Sequence, residues 1–175
     1  MEWEFGLLEM FQTLHRPWLD AVMILITSLG NGGFVWVALG VLFLCFKKTR
    51  RMGMAMAISL VLGLLVGNVC IKNLVARSRP CWIRPEVEML ISVPKDFSFP
   101  SGHTMASFEG AMSIWYCHKK WGAAALILAG LIACSRMYLF VHFPTDILAG
   151  LLLGLLHAWI ARKLVERDWR IRRDF

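Results

Sequence analysis

Three short stretches hold residue types that can bind a phosphate and cleave it. Lys72 and Arg79-Pro80 form the first, Pro100-Ser101-Gly102-His103 the second, and Ser135-Arg136, His142 and Asp146 the third. Together they offer three cations, two imidazoles, a carboxylate and a glycine turn. Arginine grips phosphate oxygens in a bidentate way. A positioned imidazole can attack phosphorus, and a second can protonate the oxygen that leaves. Asp146 follows His142 across Pro144 and can reach back to set the tautomer of the ring. Ser101 suits a helix N-cap, where free N–H groups favour an anion, and Gly102 permits close backbone approach. Each residue alone has a plainer reading: Lys72 as a snorkelling anchor, Ser101 as an ordinary cap, Asp146 as a first-turn acid. Their joint occurrence argues for chemistry. No metal-ligand cluster accompanies them, so the cations are expected to supply the charge without a metal or other cofactor.

The elements that position these residues are apolar. The chain of 175 residues is 58% hydrophobic and 18% charged, against about 25% charged for a soluble domain. Its mean hydropathy is +0.59. An all-α, six-transmembrane-helix bundle is expected, as one domain over residues 1–175. Residues 3–14 mix aromatic and aliphatic side chains with Glu4 and Glu9, which predicts an interfacial helix within residues 1–16. Spans are predicted from Trp18 to Leu29, Phe34 to Phe46, Met52 to Ile71, His103 to Cys117, Trp121 to Tyr138 and Pro144 to about Ala161. The first two are short and are expected to go in and come back around Gly30-Asn31-Gly32-Gly33. Lys72 and Arg79 share a helix face if the third span runs on to Pro80. A polar loop follows from about Ser78 to Pro100.

Charge sets the orientation. Lys47 to Arg51, Lys119, Lys120 and a basic tail over residues 162–175 fall on one side, the cytoplasmic side by the positive-inside rule. Both termini are then expected in the cytoplasm and the three stretches at the outer membrane–water interface. The net charge of +7 lies at the ends of apolar runs rather than on a soluble surface, which argues against nucleic acid. The five cysteines show no paired spacing and read as packing residues, with Cys81 in the polar loop. The acidic start lacks the features of a cleavable signal peptide.

With Lys-x6-Arg-Pro, Pro-Ser-Gly-His and Ser-Arg-x5-His-x3-Asp in order, the chain resembles the type 2 phosphatidic acid phosphatases, whose signature vanadium haloperoxidases and bacterial acid phosphatases share. The likeness covers Lys72 to Asp146. It implies a six-helix membrane core and the following roles. His142 forms a phosphohistidine, Asp146 orients it, and His103 protonates the leaving oxygen and then activates water. Lys72, Arg79, Ser101, Gly102 and Arg136 hold the phosphoryl oxygens.

The expected activity is hydrolysis of a lipid phosphate or diphosphate drawn from the bilayer. Undecaprenyl diphosphate leads, with phosphatidylglycerophosphate and phosphatidic acid as alternatives. A non-catalytic scaffold that binds lipid phosphates is the reading from another class. Arg77, Arg84 and Lys95 either meet a second phosphate or are solvated loop charges. Glu109, inside a span, is expected to make an inter-helix hydrogen bond, and Asn68 and His157 to be packing residues. Oligomeric state stays open.

Overall fold

The computed structural model describes residues 2–171, with side chains from Glu2 to Arg167, and every regular element among them is helical. Helix α1 (Glu2–Gln12) leads to α2 (Pro17–Leu29), which Pro17 opens at a position where its missing N–H is harmless. A turn with Gly32 and Gly33 at φ of 58° and 66° joins α2 to α3 (Phe34–Cys45). Then α4 (Arg50–Leu62) loosens into a π-helical stretch over Gly63–Ile71 and ends as α5 (Lys72–Val75). A single turn, α6 (Pro80–Ile83), starts the long loop. Three long helices complete the bundle: α7 (Gly102–Cys117), α8 (Lys119–Tyr138) and α9 (Pro144–Ile171).

Neighbouring side chains give each rod its direction. Along α2, Asp20 meets Tyr138, Thr27 meets Arg136 and Gly30 lies against Ile132, so α2 runs antiparallel to α8. Beyond the turn, Gly33 lies against Ala106 and Trp36 against Gly110, so α3 continues the same way alongside α7. The two helices are one rod bent by 42°, not a hairpin. This corrects the expectation that they go in and come back. Turn residues allow a kink as readily as a reversal, and here packing against α7 and α8 selects the kink.

Six spans are therefore not confirmed. By length and composition, Arg50–Ile83, Lys119–Tyr138 and Pro144–Arg167 can cross a membrane, and the bent pair makes a fourth. Helix α7, with 16 residues, is shorter but runs the same course between α8 and α9. Among the described residues, five rods thus connect the two ends of the bundle. The start of α1 and the end of α9 lie at opposite ends.

The core of the bundle joins Trp36, Met56, Ala111 and Ile132 from four helices, and the Trp36 indole donates to Ser107 Oγ at 3.1 Å. A second cluster seats α1. Phe5 and Leu8 pack on Tyr138, Phe140 and Phe143 of the α8–α9 turn, at roughly 2 kcal/mol for each of the two α1 side chains. On its other face α1 leaves Trp3, Leu7 and Met10 exposed. At the far end, α9 stays helical past Ala161, helped by the Arg162–Glu166 pair at 2.6 Å. Arg172 and Arg173 of the basic tail lie outside the described residues.

Candidate active site

The three stretches converge at the end of the bundle that carries α1. Helix α5 brings Lys72 to its last turn. The chain does not stay helical to Pro80 as expected: Ala76 adopts φ 47°, and Arg79 follows in extended backbone. Pro80 opens α6 rather than stopping a helix. Lys72 and Arg79 meet all the same, through Asp96. Its carboxylate accepts from Lys72 Nζ at 2.5 Å and from Arg79 NH2 at 2.8 Å. Arg79 also donates to the carbonyls of Asp96 at 2.7 Å, Phe97 at 3.2 Å and Val141 at 2.7 Å, which fixes its plane. Burial alone would raise the Asp96 carboxyl. The hydrogen bond from Lys72 and the charge of Arg79 outweigh that and hold it at about 2. A carboxylate thus sits on two of the three motif cations, where two phosphoryl oxygens would fit.

His142 sits in the turn between α8 and α9, after Phe140 at φ 58°, a strained conformation for a bulky residue. Its ring is 1% exposed. Nε2 stands 3.2 Å from Arg79 NH1, facing the cations. Nδ1 faces inward, 3.6 Å from Asp146 Oδ2 and 3.4 Å from Ser98 Oγ. Burial pushes the imidazole well below its ordinary value. Asp146 pulls the other way, and Arg79 and Arg136 add to the burial. The ring is therefore neutral near pH 7, the state a nucleophile needs.

Asp146 is fully buried behind that ring. Its Oδ2 accepts from Ser98 Oγ at 2.5 Å and from the Phe143 N–H at 2.8 Å, and its Oδ1 accepts from Arg77 at 2.7 Å. Ser98 and Arg77 are the partners that sequence reasoning missed or misread. The one available signal for Ser98 was a polar residue in the aromatic run Phe97-Ser98-Phe99 ahead of the Pro-Ser-Gly-His stretch.

A cavity of about 820 Å³ opens beside His142 Nε2, lined by Lys72, Arg79, Asp96, Gly102, His103 and Arg136, among others. One wall is apolar, with Leu60 and Val61 of α4 and Leu64 of the π-helical stretch, of which Val61 and Leu64 are more than half exposed on the bundle surface. His103 hydrogen-bonds Asn31 Oδ1 at 3.0 Å, a second partner not anticipated. Gly30 makes room for that ring, since a Cβ there would lie 2.8 Å from His103 Cδ2. Arg136 is 3% exposed and donates to Thr27 Oγ1 at 2.5 Å. Its Nε is the one buried side-chain nitrogen or oxygen among the described residues with no hydrogen-bond partner.

Other expectations resolve less simply. Ser101 caps α7, taking hydrogen bonds from Thr104 N and Oγ1 at 3.4 and 3.0 Å, and does not line the cavity. Arg77 is bound to Asp146 and Glu4, and Arg84 to Glu9, so neither is poised for a second phosphate. Lys95 is exposed, and no salt bridge joins it to the described residues. Cys81 is buried under α1 rather than open in a loop. Glu109 does bond across helices, to His157 Nδ1 at 2.7 Å. Asn68 packs against Gly102. No group of three or more His, Cys, Asp or Glu able to hold a metal occurs among the described residues.

The family model described as the PAP2 superfamily matches residues 48–170. The chain belongs to the PAP2 superfamily. It is 35% identical over 144 residues to the undecaprenyl-diphosphatase of Sulfolobus acidocaldarius, covering 82% of this chain and 68% of the relative. It is 33% identical over 176 residues to phosphatidylglycerophosphatase B of Bacillus subtilis, covering 91% and 81%. Among solved structures, the transmembrane PAP2 type phosphatidylglycerolphosphate phosphatase of Bacillus subtilis superposes with a TM-score of 0.78 at 29% identity, covering 95% of this chain and 86% of that one. This PAP2 protein is thus a membrane-embedded, multi-pass lipid phosphatase with the all-helical fold of its relatives.

Proposed function

We propose that this protein hydrolyses an undecaprenyl-type lipid diphosphate at the outer membrane face through a phosphohistidine on His142. The observation that carries the chemistry is Arg136: a buried guanidinium with an unpartnered Nε, on the cavity that Lys72, Arg79 and both histidines line. Such a group calls for an anion. The substrate phosphoryl displaces the Asp96 carboxylate from Lys72 and Arg79, and Gly102 closes the other side. His142 Nε2 attacks phosphorus, the bond to the leaving oxygen breaks, and His103 gives that oxygen a proton. Asp146 faces Nδ1 and stabilises the charge that grows on the ring. His103 then takes a proton from water, which attacks the phosphohistidine and releases phosphate.

The undecaprenyl reading is supported by the likeness to the Sulfolobus undecaprenyl-diphosphatase. Phosphatidylglycerophosphate is the second reading, supported by likeness to Bacillus phosphatidylglycerophosphatase B and to the solved structure. Phosphate release from both lipids and from phosphatidic acid in matched micelles, with His142→Ala as the blank, decides between them. The diphosphate should have the highest kcat/KM, and a higher value for phosphatidylglycerophosphate would transfer the assignment.

The basic segments Lys47 to Arg51, Lys119, Lys120 and the last turns of α9 gather at the end opposite the site. The positive-inside rule then supports a cytoplasmic C-terminus and an outward site. The N-terminal helix, expected in the cytoplasm, lies with the site. Single cysteines replacing Trp3 and Arg167 in a cysteine-free background test this. An impermeant thiol reagent on intact cells should label the first and spare the second.

A further inference from the structure

A buried acid on an interfacial helix needs a reason. On α1, Glu2 and Glu9 are exposed, whereas Glu4 is 4% exposed. Its carboxylate accepts from Arg77 NH2 at 2.8 Å and from Thr145 Oγ1 at 2.6 Å. Arg77 NH1 donates in turn to Thr145 Oγ1 at 2.6 Å and to Asp146 Oδ1 at 2.7 Å. The guanidinium carbon lies over the Phe143 ring, 4.1 Å from its centroid, and Phe5 of α1 meets the same ring edge-on at 5.2 Å. From α1, a continuous chain of contacts runs Glu4, Arg77, Asp146, His142.

The geometry points to Glu4 and Arg77 as positioning residues for the nucleophile, making the N-terminal helix part of the catalytic scaffold. This rests on the reading that Asp146 orients His142. Two physical effects support it. Arg77 holds Oδ1, so Oδ2 is left turned towards Nδ1 together with Ser98 and the Phe143 N–H. Arg77 also cancels the negative charge that should stabilise an imidazolium as His142 is phosphorylated. Glu4 restores it: Glu4, Arg77 and Asp146 together carry one negative charge. The same helix covers the strained turn, since Phe5 packs on Phe140 and Phe143 on either side of His142 in the chain.

The test separates charge from shape. Glu4→Gln keeps the size and shape of the side chain and one acceptor oxygen for Arg77, while its amide NH2 replaces the oxygen that accepts from Thr145 and the negative charge is lost. With a short-chain prenyl diphosphate in detergent micelles, it should lower kcat by about tenfold at unchanged KM, as loss of a supporting partner does. The pH dependence of kcat/KM supplies a sign. Arg79, Arg136, His103, Lys72 and Asp146 surround His142 or its cavity in every variant, and Arg77 reaches it through Asp146. Arg77→Gln removes a positive charge, which favours protonation of His142, so the acid limb moves to higher pH. Glu4→Gln removes a negative charge and moves it to lower pH. A mere structural bridge would shift both limbs alike or not at all. Wild-type kcat in Glu4→Gln, or limbs moving in the same direction, overturns the proposal. Should Arg77→Gln not fold, the kcat of Glu4→Gln decides alone. Asp146→Asn serves as the control: if it keeps full activity, the orienting role of Asp146 fails first, whatever Glu4→Gln does.

Discussion

Two histidine–carboxylate pairs are buried among the described residues, and their surroundings suit different tasks. His157 and Glu109 meet at 2.7 Å between α9 and α7, whereas His142 and Asp146 stand 3.6 Å apart at the site. By distance alone the first is the better ion pair. Glu109 even lines the cavity. What differs is the company each pair keeps. Asp146 takes hydrogen bonds from Ser98, Phe143 and Arg77, and the outer nitrogen of His142 faces Arg79. Among the described residues, no cationic side chain other than His157 pairs with the Glu109 carboxylate, and Gly63 lies so close that any side chain there would strike that carboxylate. A histidine–acid pair is common currency for packing two helices. Phosphoryl chemistry needs a second ring nitrogen aimed at a place where an anion is held.

That contrast can be broken experimentally, most sharply by comparing the two pairs. His142→Ala should abolish turnover and the acid-labile phosphoenzyme, and Asp146→Asn should cost on the order of a thousandfold or more in kcat. Glu109→Leu and His157→Ala should change kcat by less than tenfold but lower thermal stability, since each leaves a buried polar partner unmatched at about 1–3 kcal/mol. A phosphoenzyme surviving in His142→Ala and missing in His157→Ala would invert the assignment.

A smaller effect is expected from Gly30→Ala. Its Cβ has no room beside His103, so the ring must turn away from Asn31. The loss should fall on kcat for natural leaving groups and be least with one that needs no proton, such as a nitrophenolate. Equal losses with both would mean that His103 does not protonate the leaving oxygen.

The smallest change is expected at Asp96. Its carboxyl, held at about 2, stays charged across the working range and is expected to compete with phosphate for Lys72 and Arg79. Because that value lies below the unfolded one, the bridge contributes stability above about pH 4 and loses it as pH falls towards 2. Asp96→Asn should tighten inhibition by inorganic phosphate and vanadate several-fold at pH 7. Weaker inhibition would show that Asp96 orients the cations rather than competing for them. EDTA should leave activity intact in the wild type and in this variant alike, because cationic side chains carry the phosphoryl charge.

The motif residues were legible in the chain because covalent spacing controls them. His142 and Asp146 are separated by one proline-led turn, and Ser101 precedes the first turn of α7, so local geometry alone brings each set to a helix end. The apolar runs likewise announce rods of defined length, since a backbone in lipid must satisfy its own hydrogen bonds. The rest depended on contacts between distant segments. Whether Gly30 to Gly33 reverses the chain or bends it by 42° was settled by α7 and α8, not by the glycines. Arg77 and Arg84 looked free for a ligand until α1 laid Glu4 and Glu9 against them, more than 70 residues away in sequence. Asp96 gave no sign of reaching two motif cations, because a loop acid has no periodicity to read. Residue type and local spacing determined which groups could act on a phosphate. Only the packed bundle decided which side chains hold Asp146 behind His142 and which carboxylate lies on Lys72 and Arg79, because charges far apart in the chain find their partners only when burial forces every polar group to be matched.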